Sequence, residues 1–550
     1  MMKYYINFKL VIIIFLLVVC SSCSDFLDES PRALQTVDGA FLEESTARLV
    51  VNGMYDALAW GESTSVGLSG HSYEFIFGDI CTDDSEKGST PADQVDIQRL
   101  KEFTTNGNNS NISTVWGKYW VAINRANVIL QNLIDSPIEE QVKSEFEGEA
   151  RFVRGYSYLQ LITIFGGVPI FDSPVGSDQI AQRDFKRESI ADVYAFLDQD
   201  LEAAMNQLPT KEGRDVGRAN KGAAAAYLAR SYMYQIGTEN SSGRTWQQVF
   251  DLTDRFMNGD FGNYALASNY AAIWSVEGEN NIESIWEIQA VDNGLDNFER
   301  GPSTGSMWTV FQNPFFMGGW GFNTPTQSLF DAFEANDPRR ASTLLEVGEY
   351  AFGVEMIENE RSLTGYYTRK AIIDPAIWNT QKGSEINIRR FRYADIILMN
   401  AEAAYHTNNT GRAIENLSMI RDRASSSTFP QGYNPDDIYG YEATNFAPLD
   451  NSIIPQSGQA LLDFIWLERR RELSFEQLRF MDLVRTGRYI DRIRDSYENV
   501  NDLSDLGFAE RIANAALEKS ITGSTGNPIP LFPIPTRELE DWGLSQNPGY

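Results

Sequence analysis

The chain has 550 residues, 42% of them hydrophobic, and sets 46 lysines and arginines against 76 acidic residues, a formal net charge of −30. So acidic a surface repels phosphate backbones and excludes nucleic acid as the main partner. Only two histidines, His71 and His406, are present, which excludes a multi-histidine zinc centre.

In chain order, Lys3 and Lys9 frame a positive start, and Leu10–Val19 is an unbroken apolar run of ten residues. A membrane-spanning helix needs about 20, so the run reads as the core of a secretory signal. Ser21 and Ser22 then supply small residues ahead of Cys23. The arrangement resembles a bacterial lipoprotein signal, in which the cysteine becomes residue one and carries lipid. It departs from that signal in having Cys20 where leucine usually stands, three residues before the lipidated cysteine. A cut before Cys20 restores the leucine, as Leu17, but puts bulky Val19 beside the cut, which favours Cys23. Residues 1–22 are then removed, and 23–550 form the mature chain with a net charge of −32, since the excised piece holds two lysines and no acid. Cys81 is left as the single unmodified thiol, so no intrachain disulfide forms and the fold rests on burial.

Helical periodicity recurs through "EESTARLVVNGMYDAL" (43–58), "VWGKYWVAINRANVILQNLI" (115–134), residues 142–166, 189–208, 221–235 and 245–259, and again from 390 to 424 and 460 to 487. Short Gly-, Asn- or Pro-bearing breaks join these segments in pairs. In the pair 397–420, Ala401, Ala403 and Ala404 permit close approach, Tyr405 packs at the turn and Ala413 faces back. That is the physical logic of a tetratricopeptide hairpin. Residues 260–390 and 424–456 are rich in Gly, Asn, Pro and aromatics instead, and are expected to be long loops with short strands laid over one side of the scaffold. No Pro- or Ser-rich linker divides the mature chain, which reads as one body.

Signals for catalysis are weak. No P-loop and no HExxH occurs. "GPSTG" (301–305) has the letters of a nucleophile elbow without the strand before it and helix after it that such an elbow needs. Asp83–Asp84 within "CTDDSEKG" (81–88) lacks the full EF-hand spacing and reads as a solvated acidic loop. The informative stretch is "WTVFQNPFFMGGWGF" (308–322), six aromatics in fifteen residues. Flat aromatics stack on the apolar faces of sugar rings, while Asn and Asp fix hydroxyls. Gly318, Gly319 and Gly321 leave room around Trp320, and a loop that only packs has little reason to spend so much backbone entropy.

Five ordered blocks, "RFVRGYSYLQLITIFGGVPIF" (151–171), "RANKGAAAAYLARSYMY" (218–234), "RFRYADIILMNAEA" (390–403), "ERRRELSFEQLRFMDLVRTG" (468–487) and "LFPIPTRELE" through the terminal "QNPGY" (531–550), resemble the SusD/RagB family of Bacteroidetes outer-membrane nutrient-binding lipoproteins. The resemblance implies an all-α dominated, SusD-like fold with four tetratricopeptide-like hairpins and a loop-rich ligand face. It implies a non-catalytic, surface-exposed glycan-binding lipoprotein that delivers ligand to a SusC-like TonB-dependent outer-membrane transporter; the scarcity of histidine adds the expectation of no cofactor and no essential metal. The start "SDFLDE" resembles the surface-export signals of these bacteria, which places the anchored chain on the outer leaflet facing out. Ligand-facing aromatics of the family often precede a "PTQ-x-L-x-D-x-F" block, matched here by Pro325 to Phe333. Trp320 is therefore the first candidate, followed by Trp308 and Phe315, and by Tyr73 and Asp83 from the early loop. Arg392, Asp395, Glu402, Glu468, Arg471, Glu472, Arg479 and Asp482 recur at helical spacing and are expected to pair as scaffold. Peptide capture on the same architecture, and a glycoside hydrolase, are the alternative readings.

Overall fold

Side-chain oxygens placed at helix starts turn much of the periodic sequence into defined helices. The computed structural model describes residues 37–59, 74–182, 185–239, 241–291, 306–357, 361, 363–376, 378, 384–427, 448–497 and 499–550. Cys23, His71, Tyr73 and the 301–305 stretch lie outside them. The main elements are α1 (Glu44–Ala59), a π-helical turn (Ile76–Ile80), β1 (Ser85–Gly88), α2 (Ser110–Leu133), α3 (Glu140–Phe165), α4 (Ile190–Gln207), α5 (Lys221–Gly237) and α6 (Trp246–Met257). There follow β2 (Ser284–Ile288), α7 (Met307–Gln312), β3 (Phe322–Pro325) and β4 (Ile388–Arg392). The chain closes through α8 (Tyr393–His406), α9 (Thr410–Ser425), α10 (Gly458–Leu473), α11 (Arg479–Arg485) and α12 (Tyr489–Ser496).

Asn109, Ser189, Asn220 and Thr245 accept backbone N–H groups at the starts of α2, α4, α5 and α6, and Thr245 completes a capping box with Gln248. Helices α1 to α6 then pack each on the next, α6 packs on α8, and α8 packs on both α9 and α10. Close approach is written in small residues. A Cβ at Gly155 of α3 would lie 3.0 Å from Leu201 of α4, and one at Gly148 would lie 2.9 Å from Leu208. Ala401, Ala403, Ala404 and Ala413 are fully buried, as the hairpin reading requires. Among the described residues helix dominates, and strands occur only as short antiparallel pairs. β1 pairs with β3 in the register Ser85↔Pro325, Glu86↔Thr324 and Gly88↔Phe322. β2 pairs with β4, which leads directly into α8.

The scaffold charges pair as expected, and they do so inside the protein. Glu402 holds Arg485 at 2.7 Å, Asp395 holds Arg469 at 2.6 Å, and Arg392 reaches both Glu283 and Glu472. Each charge here has opposite partners, which a buried ion requires. The terminal "QNPGY" packs on the body: buried Asn547 donates to the carbonyls of Phe165 and Phe532, and the Tyr550 hydroxyl donates to Leu531.

Candidate functional site

The aromatic segment starts at Ser306, whose hydroxyl accepts the N–H of Trp308 at 3.1 Å while its backbone bridges Ser384. α7 is buried along its whole length, and the chain reverses through a single 3₁₀ turn, Phe315–Met317. Gly318 and Gly321 take φ of +91° and +71°, which side chains rarely adopt. A Cβ at Gly319 would meet the Asn313 carbonyl oxygen at 2.1 Å. The turn itself therefore demands all three glycines, and they are no evidence that the Trp320 indole was cleared for a ligand. Trp320 is half-buried. Its backbone N–H donates to the Val310 carbonyl at 2.8 Å, and its ring meets Phe311 edge-on at 4.8 Å.

Beside it Phe315 is 52% exposed, and the Arg361 guanidinium lies over its ring at 4.1 Å. Arg361 also donates to the Ser89 hydroxyl at 2.7 Å, and Ser89 donates its own backbone N–H to the Gly321 carbonyl at 2.7 Å. A Cβ at Gly321 would stand 3.8 Å from the Tyr367 ring and 4.0 Å from the Arg361 Cβ and the Phe315 backbone nitrogen. Phe315 and Arg361 thus meet near Gly321, the residue after Trp320. Stacking of a guanidinium on an aromatic face keeps the ring in place and leaves polar N–H groups beside it. Arg361 had no sequence signal, since it lies in an aperiodic stretch and joins the aromatics only through the tertiary turn.

Two expectations are corrected. Trp308 is only 7% exposed, because α7 has no solvent face, so it belongs to the core. Asp83 is not part of a solvated acidic loop and is no ligand contact: it has 0% exposure. Arg479 meets it through two bonds of 2.8 Å, Arg492 does so at 2.9 and 3.0 Å, and Arg470 lies 3.4 Å away. Burial alone would raise its pKa, but the arginines outweigh it and hold the carboxyl well below the usual carboxylate range. Tyr73 falls outside the described residues, and no group of metal-ligating side chains occurs among the described ones.

The fold is a helix-dominated scaffold of packed helices with short antiparallel strand pairs. The SusD family model matches residues 340–550, and a model described as starch-binding associating with outer membrane matches residues 25–233. The chain belongs to the SusD/RagB family, which consists of carbohydrate-binding proteins and not of enzymes. A SusD-like protein of Formosa agariphila is 24% identical over 520 residues, covering 88% of this chain and 91% of its own. A solved laminarin-binding SusD-like protein is 25% identical with a TM-score of 0.67, covering 92% of this chain and 99% of its own. Surface glycan-binding protein A of Bacteroides thetaiotaomicron, solved with laminarihexaose, shares the fold at 19% identity and a TM-score of 0.66, covering 92% of this chain and 99% of its own. The aromatic segment 308–322 lies in the span between the two family-model matches.

Proposed function

We propose that the chain is a lipid-anchored, surface-exposed glycan-binding protein that captures oligosaccharide on the Trp320–Phe315–Arg361 face without cleaving it, and passes it to a SusC-like TonB-dependent transporter. The observation that carries this reading is the exposed Phe315 ring, held by Arg361 beside a half-buried tryptophan, on the loop face of a SusD/RagB chain. An exposed aromatic stacked by a cation is a poor core residue and a good platform for a sugar ring. Laminarin-type oligosaccharides, which two structurally similar proteins bind, are the first probes. A glycan array followed by calorimetric titration tests the reading: saturable binding of an intact oligosaccharide, weakened in Phe315→Ala, supports it. Release of shorter products overturns the non-catalytic part. Cys23→Ala is expected to leave a folded protein that no longer sediments with membranes, because the acyl chains alone anchor it. Protease shaving of intact cells that leaves the wild-type chain untouched overturns the surface placement.

A further inference from the structure

A cavity of about 700 Å³ opens between the end of β3, α10 and α12, and three arginines, Arg470, Arg471 and Arg492, line it. Arg470 and Arg492 stand side by side: both reach Ser328 Oγ, at 2.9 and 3.4 Å, and both contact Asp83 Oδ2, at 3.4 and 2.9 Å. Their remaining bonds turn inward, Arg470 Nε to Asp84 and Arg492 Nε to Asp83, while Arg471 donates Nε to the Ala332 carbonyl and Nη1 to Glu334 and Glu468. One terminal nitrogen on each, Nη1 of Arg470 and Arg492 and Nη2 of Arg471, makes no hydrogen bond among the described residues. Three guanidinium groups thus line one cavity, their other nitrogens held by the bonds above.

Three acids share the walls with the arginines. Glu86 is buried and turned to Lys101 at 2.8 Å, and Asp331 accepts from Gln327 at 2.9 Å at the rim, where Asp495 is exposed. Rim carboxylates and the Gln327 and Thr364 side chains suit hydroxyl groups, and Leu363 and Leu503 offer apolar contact. Leu363 is two residues from Arg361, so their Cα atoms lie within about 7 Å of each other, and the residue that stacks on Phe315 adjoins one that lines the cavity.

We infer that this cavity is a second subsite for a negatively charged sugar residue, a uronate carboxylate or a sulfate ester, of the same glycan. The inference rests on the glycan-binding reading and narrows it to acidic saccharides. A guanidinium with an unused edge is the side chain best matched to a carboxylate or sulfate, and it supplies locally what a chain of net charge −30 denies over longer range.

The test is calorimetric titration of an oligogalacturonate and a sulfated oligogalactan, each against its neutral counterpart, carboxyl-reduced or desulfated. Wild type is compared with Arg492→Gln and with Leu503→Glu, the latter at a 71% exposed rim position where folding is not at stake. At least one acidic ligand is expected to bind more tightly than its neutral counterpart and to lose about tenfold in each variant, as for the loss of one charge-assisted bond. Which acidic ligand responds separates carboxylate from sulfate. Equal binding of acidic and neutral partners, or acidic binding indifferent to both variants, overturns the subsite and leaves the glycan reading standing. Failure of every glycan, acidic and neutral, overturns the glycan reading and the subsite with it.

Discussion

Asp83→Asn removes a charge that three arginines share, and the structure sets the size of the effect. Asp83 accepts four guanidinium bonds of 2.8–3.0 Å, and Arg479, which gives two of them, is itself buried. Breaking a buried pair from one side costs about 3–5 kcal/mol, because the surviving charge stays buried without its counter-ion. Asp84 stands 2.6 Å from Arg470 and 3.6 Å from Arg479 and takes up part of the deficit. The expected loss is therefore at the lower end of that range, about 3 kcal/mol. Urea unfolding followed by tryptophan fluorescence reads it as a lowered midpoint at unchanged slope. Titration of the folded variant with a neutral glycan should give wild-type affinity, since Asp83 never reaches the surface. A stability loss under about 1 kcal/mol, or lost affinity at an unchanged midpoint, would refute the assignment of Asp83 to the scaffold.

Trp308→Ala is expected to cost about 3–5 kcal/mol as a buried tryptophan, read by the same unfolding curves; a near-neutral result would put it back on the surface. Gly319→Ala pushes a Cβ against the Asn313 carbonyl and is expected to cost about 1–3 kcal/mol. It should also displace Trp320 and weaken glycan binding, and wild-type behaviour in both assays would contradict the turn geometry. Acid should unfold the protein through its buried carboxylates. Burial opposes ionisation of Glu472 and Asp482, but the arginines around them prevail and lower both to about 2. Their stabilising effect is complete above the ordinary carboxylate range of about 4 and is lost as pH falls toward 2. Thermal melts between pH 5 and 2 should show that decline, and a flat profile would count against it.

The scaffold was legible because its signals are local. Alanines 401 and 404 lie three residues apart on one helix face and Ala413 answers from the next helix, while pairs within one helix such as Glu468–Arg471 and Asp482–Arg485 follow from their spacing of three. The ligand face was only partly legible. Composition marked the segment 308–322, but whether Trp308 or Phe315 faces out depends on where α7 ends and the 3₁₀ turn begins, which periodicity over six residues does not fix. Gly318, Gly319 and Gly321 were visible and misread, since a tight turn and a cleared platform call for the same residue. Asp83 misled for a related reason: an acidic pair in a polar run looks solvated until arginines from nearly 400 residues away close over it. Arg361 and the arginine-lined cavity exist only in the tertiary arrangement.

The measurement that bears most directly on the glycan-binding face is calorimetric titration of Trp320→Ala with whichever oligosaccharide the wild type binds best, paired with a thermal melt of the same sample. A retained melting transition with affinity weakened by about 1–3 kcal/mol, roughly fivefold to 150-fold, is the expected result for an aromatic anchor at the centre of a binding surface. Undiminished affinity, or a melt lowered as far as that of Trp308→Ala, would contradict it and return Trp320 to the core.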